Sequence, residues 1–542
     1  MTAVPQILRI GQARLTAGLD RLQRIDLAGH QAIFGPTPTL TITELIKLAD
    51  QVDLRGRGGA AFPVARKLQA VARTAHARKC RTMVVVNATE GEPGSAKDKM
   101  LLLRSPYLVL AGAQLVARAL RAKQVVVAVA GDGPHVRSLS EAVNADPESR
   151  RLVIVVSVPD RFLSGEGGAL VNAINGKAAL PPGRKTRASD RGVDGLPTLL
   201  SNAETFAQLA VLALSGPAGY ASAGAADEPG TVLLTVGGSV SRPAVVEVPT
   251  GVPLGEVLDL CGAEPAEGVL MGGYHGMWLG SQAAYDVPVS RAGLIAAGGT
   301  LGAGIVLPLG QRTCALGEVA RVAGYLAKES SGQCGPCMLG LPAIARALAA
   351  LANGSGGVDA LDTARRAAAA VRGRGACAHP DGAFRFVVSA LDVFTDDLAA
   401  HLFRGACGRP VRGILPLTRE ESDAHLAVDW TRCQGHGLCA HLVPELIQLD
   451  RSGYPEFLDM PVPPWLAGAA DQAVAKCPSL ALRLVRPPPL PAATAAAAGP
   501  AALGSGSGQP GGKRGHSTED LIVTESWIAE ISGSREFSGE TS

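Results

Sequence analysis

At 542 residues the chain is too long for a single core and is expected to hold three or four domains. Its net charge of +3, with no polybasic block, argues against a nucleic-acid or anionic-membrane binder. Hydrophobic residues reach 47%, yet no apolar run attains the roughly 18 to 20 residues that span a bilayer.

The stretch after Met1 lacks the basic-then-apolar layout of a signal peptide, so the chain is expected in the cytoplasm. Ten cysteines in that compartment point to metal or redox chemistry before disulfides. Residues 1–40 read as an N-terminal segment. Between 41 and 225, three β-branched runs at 81–87 (RTMVVVN), 123–130 and 151–158 alternate with helical stretches. That pattern predicts buried strands in an α/β domain, the carrier of a flavin or nucleotide. Residues 226–290 have strand character broken by Gly-Gly and Arg-Pro, with a short helix near 254–260, and predict a small β-rich module. From 300 to 410, amphipathic stretches near 315–328, 341–351, 360–371 and 384–402 predict a compact helical bundle. A further small domain covers 426–487. Residues 488–542, rich in Pro, Ala, Gly and Ser at their start, read as disordered linker and tail. The acidic and apolar 519–531 reads as unstructured rather than as a docking peptide.

Two cysteine ladders carry the clearest chemistry. The first is Ser331-Gly332-Gln333-Cys334-Gly335-Pro336-Cys337 with Cys377 downstream; the second is Cys433, His436 and Cys439 with Cys477-Pro478 downstream. Thiolates at three-residue spacing plus one remote cysteine can converge on an iron-sulfur cluster. Each ladder has three cysteines where four would complete a cubane. Zinc is the rival for either, but its paired CxxC signature is absent.

A second kind of chemistry is written in glycine. Gly56, Gly58 and Gly59 stand just before a helical stretch containing Lys67, where backbone N–H groups can approach a phosphate. By itself such a turn is more often an ordinary loop. Asn87-Ala88-Thr89-Glu90 and Ser164-Gly165-Glu166 follow predicted strands, and in open α/β sheets ligands gather at strand ends.

In order along the chain, RGRGGAAFP, NATEGEPG, SGEGGALVNAINGK, PTLLSNAETFAQLA, GGSVSRPAVVEVP, ESSGQCGPC and GACAHPDGAFRF resemble the flavin-bearing, NADH-binding subunit of respiratory complex I and its relatives in soluble hydrogenases and formate dehydrogenases. The resemblance covers about 41–407. It implies a multidomain α/β chain with a Rossmann-like FMN domain, a β-grasp-like module and a helical bundle holding an Fe-S cluster. Carried over residue by residue, it places FMN against Gly56, Gly58, Lys67, Asn87, Glu90, Gly165, Glu166, Ser201 and Asn202. It places the nicotinamide near Phe62 and Glu92. The bundle cluster would be held by Ser331, Cys334, Cys337 and Cys377, as [4Fe-4S] or, with serine at the first position, as [3Fe-4S]. Cys314 and Cys407 are spare cysteines that rank below Ser331 as ligands; Cys80 and Cys261 read as small buried hydrophobes. Residues 428–485 resemble the small ferredoxins that feed actinobacterial cytochromes P450. That implies a ferredoxin-like α+β domain with a [3Fe-4S] cluster on Cys433, Cys439 and Cys477, His436 covering the empty corner rather than, as the alternative, ligating a fourth iron.

The chain also departs from the complex I pattern. The family's paired glutamates become Glu166-Gly167, and a Lys-Pro-Pro-Phe segment becomes Leu180-Pro181-Pro182-Gly183. Losing a ribose-facing carboxylate relaxes selectivity between NADH and NADPH, while losing an aromatic shelf weakens binding by about 0.5 to 1.5 kcal/mol. The expected activity is an NAD(P)H dehydrogenase-type oxidoreductase that passes electrons through FMN and the bundle cluster to the fused ferredoxin. The expected partners are a redox protein or membrane redox complex, to which the chain would be peripheral, and a small [2Fe-2S] subunit, with no nucleic acid. The rivals are an electron-transfer subunit reduced by a protein and a cofactor-poor structural subunit.

Overall fold

The computed structural model describes residues 6–183, 186–417, 425–444, 446–457, 462 and 467–485. The linker and tail expected over 488–542 lie outside the described residues. The architecture is mixed α/β in two compact units, most of the larger lying before residue 422 and most of the smaller after it.

In the larger unit four strands form a parallel sheet in the order Val153–Val158, Ala122–Ala130, Thr82–Ala88, Thr198–Asn202. The predicted β-branched runs are three of these strands; the fourth escaped prediction. Side chains alternate across the central strand as the two-residue period demands. Val84 and Val86 join a core with Leu68 and Phe206, whereas Met83 and Val85 join Leu170 and Val193 on the other face. Both faces are therefore covered by helices, which is why the runs are continuously apolar. Gly112 lets helix Pro106–Ala119 press onto helix Ala203–Tyr220: a β-carbon there would lie 1.9 Å from the Phe206 carbonyl oxygen.

The mixed sheet is larger than the module expected over 226–290. Hairpin Thr231–Val236 and Ala244–Pro249 is joined by Ala266–Met271 and Met277–Gly280, with the predicted helix at Leu254–Leu260. Ile305–Gly310 enters beside Thr231–Val236 in parallel, and Gln6–Arg9 pairs in parallel with Ala244–Pro249 at the edge. Within the expected N-terminal segment, Gln6–Arg9 is thus an edge strand of this sheet. The buried Glu247 carboxylate accepts the N–H groups of Arg14, Leu15 and Thr16 at 3.1, 2.8 and 2.9 Å and the Thr231 hydroxyl at 2.8 Å. With the Thr16 hydroxyl at 2.6 Å it has five donors, and such a fully satisfied buried network holds its neighbours firmly, which fastens the N-terminal stretch to the sheet.

Helices Ala315–Lys328, Leu341–Ala352 and Gly357–Val371 match the predicted bundle stretches. The fourth, expected over 384–402, is two helices, His379–Val393 and Thr395–Arg404. Phe394 breaks it with φ −96° and ψ 47°, because its ring is buried against Trp278 at 4.8 Å. Among the described residues no single helix is long and apolar enough to cross a membrane.

The smaller unit pairs His425–Val428 with Leu482–Val485 and Ile447–Leu449 with Pro455–Phe457, both antiparallel. Helices Leu438–Leu442 and Ala467–Lys476 complete it.

Candidate functional site

In chain order the first parallel strand, Thr82–Ala88, has the second on one side and the fourth on the other. Connections diverge in opposite directions at this point, leaving a crevice beyond the strand ends where α/β proteins bind ligands. Asn87 and Asn202 face each other there in register, and Val86 pairs with Ser201. The glycine turn lies against them: a β-carbon on exposed Gly58 would sit 3.5 Å from the Asn202 β-carbon. The turn is closed by Gly56 N–H donating to the Phe62 carbonyl at 3.0 Å and tethered by Arg57 N–H donating to the Thr205 hydroxyl at 2.9 Å. Helix Val64–Ala77 then starts, and Lys67 Nζ reaches the Leu200 carbonyl at 2.9 Å on the fourth strand. Burial lowers the Lys67 pKa.

The third strand contributes its following turn. Asn87 Nδ2 donates to the Gly165 carbonyl at 2.9 Å, while its Oδ1 accepts the Thr89 hydroxyl at 2.6 Å. Glu166 caps helix Gly167–Ile174 by accepting from Ala169 N–H at 2.8 Å. Glu90 works similarly for helix Lys97–Arg104, accepting from Ser95 Oγ, Asp98 N–H and Lys99 N–H at 2.6, 2.9 and 2.7 Å. These two carboxylates therefore shape the loops that surround the crevice. Behind Asn202 lies a charge cluster that sequence reasoning missed. Lys97 Nζ stands 2.8 Å from Glu204 and 3.1 Å from Asp98, and Asn202 Nδ2 donates to Asp98 at 3.3 Å. Glu204 sits inside the stretch PTLLSNAETFAQLA, but its partner Lys97 is about a hundred residues away in sequence, so only the fold unites them.

Of the two residues expected near a nicotinamide, Phe62 is 46% exposed. The Glu92 carboxylate accepts the Tyr274 N–H and lies against Gly273, and burial pushes its pKa up to about 8. A cavity of about 350 Å³ adjoins the glycine turn on its other side, lined by Arg55, Gly56, Arg57, Arg291 and the 300–304 turn. It does not include the strand ends. The exposed glycine turn, a lysine and two strand-end amides converge on the crevice instead, a donor set suited to a phosphate and a polar ring. Buried Ser164 Oγ, next to Gly165, has no partner among the described residues and offers one more polar group.

The first ladder lies in the turn between two bundle helices. Cys334 Sγ is 3.7 Å and Ser331 Oγ 3.9 Å from Cys337 Sγ, and no disulfide forms. Cys337 occupies a widened turn, Pro336–Gly340, a distortion common at functional sites. Burial pushes the Cys337 thiol to about 11, with Cys334 and Cys377 adding to the shift. The Cys377 thiol is also raised by burial, and it feels the negative charge of Glu166. Four oxygen and sulfur donors are thus gathered beside a residue of the crevice. Such a set of mostly soft ligands suits iron-sulfur chemistry. The spare cysteines do not join it: Cys314 and Cys407 group with each other and with Asp397 and His401.

In the smaller unit, burial raises the Cys439 thiol, and the neighbouring Cys433 and Cys477 add to the shift. The intervening loop turns on Gly435 and Gly437, at φ 67° and 72°, values that only glycine adopts readily. All three cysteines are half-buried, while His436 is exposed.

Comparison with known proteins adds the following. The profile of the Nuo51 FMN-binding domain matches residues 49–211, that of the NADH-ubiquinone oxidoreductase-F iron-sulfur binding region matches 317–401, and that of a 4Fe-4S single cluster domain matches 426–484. The NADH-quinone oxidoreductase F-subunit of Mycobacterium bovis is 31% identical over 402 residues, covering 70% of this chain and 89% of that protein. Its counterpart in Escherichia coli is 26% identical over 389 residues, covering 68% and 86%. A crystal structure of NAD+-reducing [NiFe]-hydrogenase in the air-oxidised state superposes with a TM-score of 0.66 at 27% identity, over 73% of this chain and 68% of that one.

Proposed function

Because the chain belongs to the NADH-quinone oxidoreductase F-subunit family, we propose that it is a flavin and iron-sulfur oxidoreductase that draws electrons from NADH or NADPH and delivers them to a fused ferredoxin and an external acceptor. In this reading residues 41–225 are a Rossmann-like FMN domain, 226–290 the heart of a β-grasp-like module, 300–410 the cluster-bearing bundle and 426–487 the ferredoxin-like domain. Bound there, FMN would supply two-electron chemistry towards a nicotinamide and one-electron chemistry towards iron-sulfur clusters.

The chain's own residues divide the work. The Gly56-Gly58 turn, the start of helix Val64–Ala77 and Lys67 hold a phosphate; Asn87, Ser201 and Asn202 at the strand ends orient the polar ring; Gly165, where a β-carbon would lie 3.0 Å from the Thr89 hydroxyl, lets its turn pack close to Asn87 and Thr89 beside it. The observation that carries the proposal is the register pair Asn87 and Asn202 with the glycine turn against it. The proximity of Glu166 to Cys377 supports transfer from crevice to bundle ladder, since it sets a crevice residue in the field of a ladder thiol. Ser331, Cys334, Cys337 and Cys377 would hold a [4Fe-4S] or [3Fe-4S] cluster. Cys433, Cys439 and Cys477 would hold a [3Fe-4S] cluster, three thiols being what that unit gathers. Relatives named as subunits suggest partner subunits here too, a small [2Fe-2S] protein among them, with this chain peripheral to a membrane complex.

A second reading keeps the wire without nicotinamide oxidation, electrons arriving from a protein. It is favoured by open space at two departures: among the described residues nothing lies within 4 Å of a β-carbon built on Gly183, and only Leu200 at 3.9 Å meets one on Gly167. Larger side chains would fit at both positions, and this chain lacks them. Anaerobic mixing of the purified protein with NADH and with NADPH decides. Bleaching of the flavin band by either is expected. No bleaching, with flavin present, would transfer the case to the second reading, and a colourless, iron-free protein would leave a structural subunit.

A further inference from the structure

Four side chains that belong to neither the crevice nor the first ladder converge inside the helical bundle. Cys314 immediately precedes helix Ala315–Lys328; Asp397 and His401 lie one turn apart on helix Thr395–Arg404; Cys407 follows that helix. One donor atom from each falls within 4.8 Å of all the others. Cys314 Sγ stands 3.3 Å from His401 Nε2 and 3.8 Å from Asp397 Oδ2. Cys314, Asp397 and His401 are at most 5% exposed.

We propose that this cluster is a structural divalent-metal site of the zinc class, with Cys314, His401 and Cys407 as ligands and Asp397 as the fourth donor. Two sulfurs, an imidazole and a carboxylate form a set that zinc accepts, whereas calcium and magnesium call for oxygen alone. Tetrahedral bonds of about 2.3 Å to sulfur and about 2.0 to 2.1 Å to nitrogen or oxygen put those donors about 3.6 Å apart. The two separations seen, 3.3 and 3.8 Å, straddle that value.

The surroundings fit a bound cation as well. Gly317 N–H, in the first turn of its helix, donates to Cys314 Sγ at 3.2 Å, a hydrogen bond of the kind that supports a metal-bound sulfur. Around a dication, two thiolates and a carboxylate leave one negative charge, and the Arg409 guanidinium lies 2.9 Å from Asp397 Oδ1 to offset it while also pairing with Glu267. Leu316 N–H donates to Asp397 Oδ2 at 2.8 Å and fixes the carboxylate. Cysteines are weak hydrogen-bonding groups, so without an ion the contact of Cys314 with His401 is a weak one. His401 Nδ1 has no partner among the described residues, which leaves Nε2 as the nitrogen committed to the cluster.

A metal here would join the start of the first bundle helix to the end of the last. It would also fix the strap that follows, whose Arg412 and Ile414 N–H groups both donate to Glu318 from 3.0 and 3.1 Å. The role is cross-linking, separate from electron transfer.

The test uses full-length protein purified anaerobically, without chelator, from zinc-supplemented cells. Elemental analysis should give about one zinc per chain, and zinc-edge X-ray absorption should show two sulfur and two nitrogen or oxygen ligands. Cys407→Ser should lower zinc at least about fivefold while leaving flavin and iron unchanged. Zinc below about a fifth of the chain concentration, or bound by three or four sulfurs as in a misloaded ladder, would overturn the proposal. So would undiminished zinc in a soluble Cys407→Ser protein. If that variant does not fold, the absorption spectrum of the unaltered protein decides alone.

Discussion

The side-chain amide of Asn87 donates to the Gly165 carbonyl at 2.9 Å, lacing the end of the central strand to the turn that follows the third. The same turn is held from below by a contact that tolerates only glycine. A β-carbon on Gly91 would lie 1.8 Å from the Arg161 carbonyl oxygen and 2.6 Å from its carbon, both backbone atoms that cannot rotate away. Gly91→Ala must therefore move the turn carrying Ser164, Gly165 and Glu166. Overpacking of this kind costs about 1 to 3 kcal/mol, enough to weaken flavin retention about tenfold. Flavin and iron per chain should be measured together. Flavin should fall while iron holds; equal retention of flavin would mean that the turn does not line the site.

Ser331 Oγ already stands 3.9 Å from Cys337 Sγ, so a thiol at that position would enter the ladder without rearrangement. Ser331→Cys should raise the iron that survives exposure to air, because thiolate is the softer and better-matched ligand. Cys337→Ser should remove the bundle cluster signal from the EPR spectrum and leave that of the smaller unit. If Ser331→Ala retains as much iron as the natural protein, the serine has no part in ligation.

What could be read from the sequence follows the physics of each element. Runs such as 81–87 are visible because both faces of their strand are covered, and every residue is selected for the same apolar property. Thr198–Asn202 was missed because it is five residues long and ends in polar residues needed by the crevice. Gln6–Arg9 was missed because its partner, Ala244–Pro249, is over two hundred residues away, and pairing at that range leaves no local trace. The bundle helix that breaks at Phe394 kept an unbroken helical pattern; tertiary packing of the ring on Trp278 decided its conformation. The candidate site residues were named from motifs, but their assembly was not legible. The approach of Gly58 to Asn202, the reach of Lys67 to Leu200, and the grouping of Cys314 with His401 and Cys407 all need the third dimension. The spacing from His401 to Cys407 was the available hint.

Glu92 sets a pH dependence. Burial, opposed by the Tyr274 N–H and aided by the nearby Glu90 charge, holds its carboxyl up to about 8. The folded protein therefore keeps a proton that the unfolded chain surrenders near the ordinary carboxyl value. Its stabilising effect is complete below about 4.5 and is lost as pH rises towards about 8, a difference of a few kcal/mol at most. Glu92→Gln has the same shape without the titration. Its melting temperature relative to the natural protein should climb between these two values and level off above. A constant offset across that range would place the ionisation elsewhere.

Gly340 closes the widened turn around Cys337 and meets helix Gly357–Val371 edge on. A β-carbon there would be 2.1 Å from Val371 Cγ1. Valine on a helix has essentially one side-chain rotamer, so its methyl cannot swing aside and the helices must separate. Gly340→Ala should destabilise by about 1 to 2 kcal/mol, the clash outweighing the better helix propensity of alanine. Val371→Ala opens a small void and costs stability by itself. Combined, the two should cost less than their sum by about 1 kcal/mol or more, since the added methyl fills the space the valine vacates. Chemical denaturation of all four proteins measures that coupling, with iron content as the companion readout. Iron lost in Gly340→Ala and recovered in the double variant would show that the helix contact holds the Cys337 turn in shape, whereas additive costs would mean the two residues do not meet.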